Sequence, residues 1–292
     1  METSPNIHIV APAGAVNKEQ VQKGIKYLSS LHLSCIAGSS LYRKNGYLAG
    51  SDAKRLKDLQ LALDDSKTAA IWMARGGYGT TRIIDQLRWT KFFKKPSWII
   101  GFSDITALHI YLSNHSIPSI HGPMVTQAAD KIHTDAIRLV TSILKNDLPE
   151  YLLRATTHNR TGKVKAEITG GNLTLISSTI GTATEIITDN KILFIEEVGE
   201  AAYRIDRMLV QLKRAGKLKK LKGLIVGHMT DITQEKEFGK TVSEIILEHT
   251  QEYNFPICFG FPAGHEAPNM PLILGMKSEL IVEKTEVILR YL

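Results

Sequence analysis

Cysteine is nearly absent: only Cys35 and Cys258 occur, far apart and each among apolar neighbours. Two such residues exclude a disulfide framework and any Cys-based metal spacing, and buried free thiols are the expected state. No stretch reaches the ~18 consecutive apolar residues of a membrane span, so no membrane partner is expected. The opening Met1-Glu2-Thr3-Ser4-Pro5-Asn6 lacks a basic segment followed by an apolar run. No signal peptide is read there, and the expected location is the cytoplasm. Acidic residues are in deficit, 29 against 36 Lys and Arg, for a net charge of +7. Much of the excess lies between Lys213 and Lys222. No interleaved aromatics, zinc finger or RNP sequence accompany that run, so it reads as a solvated helix face and loop, and no nucleic-acid partner is expected.

What is present is an ordinary globular composition. The 292 residues, 43% hydrophobic and 22% charged, suffice for one large domain or two modest ones. In the first half, strand-like and helix-like segments alternate. Ile7–Ala11, Ala69–Ala74, Trp98–Phe102 and Ile117–His121 read as strands; Lys18–Leu31, Ser51–Asp65 and Thr80–Leu87 read as helices. This βαβ rhythm predicts a parallel sheet covered by helices on both faces. The ligand crevice of such a sheet lies at the carboxyl ends of its strands. Loop and linker chemistry between Lys145 and Lys165 places a domain boundary there, giving an N-terminal α/β domain over 1–150 and a second domain over 166–292. In the second half, Gly170-Gly171-Asn172 reads as a turn, Ile192–Ile195 and Gly223–Gly227 as strands, Ala202–Ala215 and Val242–Thr250 as helices, and Glu279–Tyr291 as a hairpin.

The segment Trp98-Ile99-Ile100-Gly101-Phe102-Ser103-Asp104-Ile105 runs from a buried strand, through a glycine, into a helix whose face is Ile105, Leu108, His109 and Leu112. A serine on such a turn holds its hydroxyl out of the sheet, beside backbone N–H groups that can receive an oxyanion. That geometry suits a nucleophile; a helix cap, for which Asp104 also qualifies, is the competing reading. Ile105 stands where the G-x-S-x-G elbow has glycine, which argues against an ordinary α/β-hydrolase. Arg75-Gly76-Gly77-Tyr78-Gly79 is a second strand-to-helix turn, whose glycines let backbone approach a ligand and expose N–H donors. It matches neither G-x-G-x-x-G nor the P-loop.

A serine nucleophile needs a base, and the base an orienting carboxylate. Among ten histidines, His8 and His109 sit on apolar elements and read as core. His228 follows a strand and, with Asp231, falls short of a metal site. His265 lies in the Gly- and Pro-rich loop Gly260–Asn269, where function often resides. Glu196 and Glu197 end an apolar strand, and alternation alone does not decide which faces the crevice.

Taken together, Ile9–Gly14, Ala74–Gly79, Gly101–Leu108, His121–Met124, Gly170–Leu173, Leu193–Glu200, Tyr203–Arg207 and Gly260–His265 resemble, in order and over nearly the whole chain, the serine LD-carboxypeptidases of the muramoyltetrapeptide carboxypeptidase type. Relatives of that family include microcin C immunity peptidases. The resemblance implies a flavodoxin-like parallel-sheet N-terminal domain, a mixed β/α C-terminal domain, an active site between them, and a homodimer. It implies Ser103 as nucleophile, His265 as general base and Glu196 as its orienting carboxylate, with the backbone N–H groups of Asp104 and Gly77 as oxyanion donors. Glu196 is preferred because relatives carry Glu and then Asp or Glu, so only the first position requires Glu. The implied reaction is hydrolysis of the L,D-peptide bond that releases terminal D-alanine from cytoplasmic muropeptide tetrapeptides, a step of peptidoglycan recycling. No cofactor and no metal is implied. A carboxypeptidase must also bind a free carboxylate, for which the forks of Arg204 and Arg75 are the candidates, against ordinary surface ion pairs. Two other readings stay open: a peptidase that cleaves peptidyl- or aminoacyl-nucleotide conjugates with the same triad, and a non-catalytic ligand-binding α/β protein.

Overall fold

The computed structural model describes residues 5–233 and 238–292; of the opening segment read for a leader, Met1–Ser4 lie outside the described residues. The chain divides into two compact units. Unit 1 comprises residues 1–108, 119–147 and 268–272, and unit 2 comprises 109–118, 148–267 and 273–292.

Unit 1 is built on short apolar strands that alternate with amphipathic helices. The strands are β1 (Asn6–Val10), β2 (Ser34–Ala37), β3 (Thr68–Met73), β4 (Trp98–Gly101) and β5 (Ser119–His121). All pair in parallel, in the order β2-β1-β3-β4-β5. That is the flavodoxin-type order, in which ligands bind at the carboxyl ends beside the β1/β3 switch point. The helices are α1 (Lys18–Ser30), α2 (Asp52–Asp64), α3 (Thr106–Asn114) and α4 (Thr134–Ile143). Helix α3 belongs to unit 1 as far as Leu108 and to unit 2 from His109 onward.

Unit 2 carries β6 (Glu150–Arg154), β7 (Gly162–Asn172), β8 (Ile192–Val198), β9 (Gly223–Thr230), β10 (Ile257–Phe259), β12 (Lys277–Val282) and β13 (Glu286–Tyr291) in one 7-stranded mixed sheet, ordered β10-β9-β8-β7-β12-β13-β6; β11 (Leu272–Leu274) lies outside it. The β10-to-β7 half is parallel and the β7-to-β6 half antiparallel. Helices α5 (Leu173–Thr179), α6 (Ala202–Arg214) and α7 (Val242–Thr250) contribute to an apolar core with Leu193, Ile195, Leu224 and Val226. The expected hairpin is the β12–β13 pair, and β6 lies within the stretch read as linker.

Three local expectations are corrected. Thr80–Leu87 is not an α-helix but two 3-10 turns, Thr80–Arg82 and Ile84–Gln86. The Thr80 amide is taken by the Asp104 carboxylate, and β-branched Thr80, Thr81, Ile83 and Ile84 crowd a helical turn. Gly170-Gly171-Asn172 is not a turn but the end of β7. A Cβ on Gly170 would stand 1.9 Å from the Phe194 carbonyl oxygen, so glycine here serves the close approach of two strands. Cys258 is buried as expected, its thiol pushed up to about 12 by burial, but Cys35 is only half-buried, on the edge strand β2 that the sequence reading missed.

Candidate active site

Three loops of unit 1 follow the carboxyl ends of β1, β3 and β4. The Gly14 amide donates to the Gly76 carbonyl at 3.0 Å, joining the first two. Ser103 opens the third. Its φ is +60°, a left-handed conformation that costs a non-glycine residue on the order of 1–3 kcal/mol and concentrates at functional turns. From Ser103 the chain continues as a 3-10 turn, Ser103–Ile105, into α3, which aims the positive end of the helix at the serine. The glycine turn packs directly on this residue. A Cβ on Gly76 would lie 3.1 Å from the Ser103 Cβ and 2.8 Å from the Met124 Cε. Gly77 is at φ +103°, a backbone conformation that favours glycine, and a Cβ there would also displace the exposed Tyr47 hydroxyl, 2.4 Å from that position. The structure thus brings together Ser103, Asp104, Gly76 and Gly77. Arg75 donates to the Ala15 carbonyl and lies over the Tyr47 ring, 5.9 Å from its centroid.

Glu196 and Glu197 sit on adjacent residues of β8, so their side chains leave opposite faces. Both are buried, and their partners differ. The Glu196 Oε2 lies at hydrogen-bond distance, 2.7 Å, from the Nδ1 of His265. The Glu197 carboxylate accepts from Asn172 Nδ2 (2.9 Å), the Thr174 amide (2.7 Å) and the Val198 amide (2.9 Å). Burial raises the Glu197 carboxyl above its ordinary range, and the bonds from Val198, Asn172 and Thr174 oppose the rise. A register shift between Ile195 and Glu197 interrupts the β8–β9 ladder at Glu196, and such bulges re-aim a side chain. The loop bearing His265 crosses above Glu196 at Gly264 (φ +136°), where a Cβ would stand 3.1 Å from Glu196 Oε2 and 3.0 Å from the His228 Cβ. Half-buried His228 is therefore a neighbour of the pair; burial lowers its imidazole, and the Glu266 charge opposes that. His8 is bound to Asp65 at 3.1 Å, and His109 is fully buried.

Arg204 is exposed, with Glu200 at 3.3 Å and the Tyr203 hydroxyl at 3.1 Å. It lines a cavity of about 380 Å³ with Thr174, Ser177, Glu200, Arg207 and Gln211. The basic run is engaged locally: Lys213 with Glu252 (3.0 Å), Lys217 with Glu185 (2.7 Å) and Lys220 with Asp189 (2.7 Å). Among the described residues no group of three His, Cys, Asp or Glu side chains is placed to hold a metal ion, and no helix is long and apolar enough to cross a membrane. The sequence reading did not single out Arg55, which carries no signal in the sequence; Gly79 and Gly264 lay within the glycine turn Arg75–Gly79 and the loop Gly260–Asn269 but were given no role of their own.

Unit 1 is thus a doubly wound α/β unit with a left-handed serine after β4, and unit 2 a mixed-sheet unit in which a fully buried glutamate meets a half-buried histidine. Residues 7–122 match the LD-carboxypeptidase N-terminal domain and residues 165–280 the LD-carboxypeptidase C-terminal domain. The chain belongs to the LD-carboxypeptidase family and is an enzyme of that peptidase class. It is 33% identical over 289 residues to the probable murein peptide carboxypeptidase of Bacillus subtilis, covering 97% of this chain and 91% of that protein. The crystal structure of a muramoyltetrapeptide carboxypeptidase from Oxalobacter formigenes superposes with a TM-score of 0.89 at 26% identity, over 98% of each chain. The microcin C7 self-immunity protein MccF of Escherichia coli is 24% identical over 301 residues, covering 91% of this chain and 87% of that protein.

Proposed function

We propose that this protein is a serine LD-carboxypeptidase that removes the terminal D-alanine of muropeptide tetrapeptides in the cytoplasm, a step in peptidoglycan recycling. The observation that carries the reading is the fully buried Glu196 carboxylate, 2.7 Å from Nδ1 of His265. This bond fixes the tautomer with the proton on Nδ1 and leaves Nε2 as a base. Ser103 is the nucleophile. The chemistry requires its Oγ to give a proton to His265 Nε2 as it attacks the carbonyl on the L-centre of the diamino acid. The amides of Asp104 and Gly77 receive the oxyanion. His265 then protonates the leaving amine of D-alanine, and water, deprotonated by the same imidazole, releases the acyl group. Arg204 or Arg75 holds the free carboxylate through a bidentate fork, and the working assembly is a homodimer.

The deciding experiment is mass spectrometry of L-Ala-γ-D-Glu-meso-diaminopimelate-D-Ala incubated with native and Ser103→Ala protein. Loss of one D-alanine with the native protein, and turnover lower by roughly 10³–10⁶ in the variant, is the expected result. An intact tetrapeptide, with cleavage of an acyl-sulfamoyl adenylate instead, moves the substrate to nucleotide conjugates. A folded Ser103→Ala protein of near-native activity ends the triad.

A further inference from the structure

We infer that Asp104 and Arg55 are positioning residues that hold the glycine turn Arg75–Gly79 against Ser103 by gripping the two ends of one peptide group. The Gly79 carbonyl accepts from Arg55 Nη1 at 2.8 Å, and the Thr80 N–H donates to Asp104 Oδ2 at 2.7 Å. Carbonyl and amide belong to the same peptide unit, which is thus clamped between a guanidinium and a carboxylate. Arg55 Nη1 also donates to the Pro12 carbonyl in the loop after β1, and the Nη2 of the same group pairs with Asp52. One cation therefore ties the first two loops of the site, and one anion ties the second to the third.

Both gripping side chains are withdrawn from water, Arg55 at 1% and Asp104 at 0% exposure. Buried charges are costly unless paired and hydrogen-bonded. Here the dipole of the clamped peptide points its oxygen at the guanidinium and its hydrogen at the carboxylate, giving each a partner, although Arg55 Nε and Asp104 Oδ1 keep none among the described residues and burial still raises the Asp104 carboxyl against the bonds from Thr80. The grip also explains Gly79, at φ +135°, where a Cβ would lie 2.9 Å from Arg55 Nη1 and 2.8 Å from the Leu48 Cδ2. A carboxylate one residue after the nucleophile and bonded to the far end of the donor turn makes the Ser103-to-Gly77 geometry a fixed quantity. Donors to a developing oxyanion need such fixing to within a fraction of an ångström. The inference rests on the reading of Ser103 as nucleophile and Gly77 as donor.

The test is the rate at which a fluorophosphonate labels Ser103, joined to amide hydrogen exchange over residues 75–82. Labelling reads the nucleophile and its oxyanion donors without regard to which peptide is cut. In Asp104→Ala the labelling rate is expected to fall about 10²–10³-fold, the effect of losing one oxyanion donor, with faster exchange over 75–82. Asp104→Asn keeps an oxygen for the Thr80 amide and should recover most of the rate and the protection. A lowered melting temperature with a native labelling rate in the folded fraction would make Asp104 merely structural and overturn the proposal. If Asp104→Ala does not fold, Arg55→Lys decides, because a single ammonium nitrogen cannot occupy both the Nη1 position that serves Gly79 and Pro12 and the Nη2 position that serves Asp52: slower labelling supports the clamp and a native rate overturns it. Native protein that takes the label but leaves the tetrapeptide intact refutes the substrate alone. Native protein that takes no label refutes the nucleophile, and the clamp then stands or falls on exchange over 75–82 in the variants.

Discussion

Adjacent glutamates on β8 invite a direct comparison, because they share burial and backbone and differ only in what they touch. Glu196 holds one imidazole nitrogen; Glu197 holds two amides and the Asn172 side chain, which itself caps α5 by accepting from the Leu175 amide. Exchange of each for glutamine should therefore separate catalysis from stability. In Glu196→Gln the amide can present N–H to Nδ1 and favour the wrong tautomer, so kcat is expected to fall ~10³–10⁴-fold with KM little changed. In Glu197→Gln only one oxygen remains for three donors, and an unsatisfied buried group costs about 1–3 kcal/mol. Its expected signature is a lower urea midpoint with the kcat of the folded enzyme nearly intact. Steady-state kinetics and urea titration of the two variants check this, and the reverse pattern would assign the carboxylates the other way round.

At the scale of elements, the antiparallel half of the unit 2 sheet depends on a buried acid. Glu279 on β12 is 1% exposed and lies among Arg290 (2.7 Å), Lys163 (3.2 Å) and Lys165 (3.5 Å) on the flanking strands. The Arg290 hydrogen bond, aided by Lys163 against the opposing effect of burial, pulls its carboxyl from 4.5 to about 2. A carboxyl lowered in the fold stabilises it above the unfolded value and ceases to do so as pH falls through the folded value. The difference in urea midpoint between native and Glu279→Gln protein should thus be largest above pH 4.5 and vanish near pH 2. A difference independent of pH would remove the charge from the account. The same scale shows what the sequence could tell. Strands β1, β3, β4 and β8 and helices α1, α2, α6 and α7 were legible because apolar period and breakers agree there. Edge strand β2 was not, since a short, mostly exposed segment carries no apolar pattern. Gly170 misled because glycine marks a turn and a close strand approach alike. Thr80–Leu87 misled because a long-range bond from Asp104, invisible to local propensity, captures its first amide. Ser103 and His265 were candidates from their turn and loop alone, with a cap or a loop-packing histidine as the competing reading; the family resemblance assigned the roles and chose Glu196 over Glu197, whose partners arise only from tertiary placement.

For the molecule as a whole, the decisive property is that neither unit is one continuous stretch of chain. Residues 109–118 serve unit 2, although the rest of that unit starts at Leu148. Ile110 is part of the apolar core around Leu173, Ile176 and Leu193. The Asn114 side chain donates to the Glu185 carbonyl at 2.8 Å and accepts from the Ile187 amide at 3.0 Å, and Lys191 donates to the Ser113 carbonyl at 2.6 Å. A fragment beginning at residue 151 lacks all of these. Loss of a buried Ile side chain alone costs about 2–5 kcal/mol, and each of the three lost hydrogen bonds, which are part-buried or exposed, adds about 0.5–1.5 kcal/mol. Their sum rivals the roughly 5–15 kcal/mol that holds a native domain together. Fragment 151–292 should therefore show no cooperative thermal transition by far-UV circular dichroism, while the intact chain does. Adding a peptide of sequence Thr106–Pro118 in trans should restore the transition, with a midpoint that rises with peptide concentration as linkage requires. A fragment that melts cooperatively by itself, indifferent to the peptide, would show that α3 contributes nothing essential to unit 2.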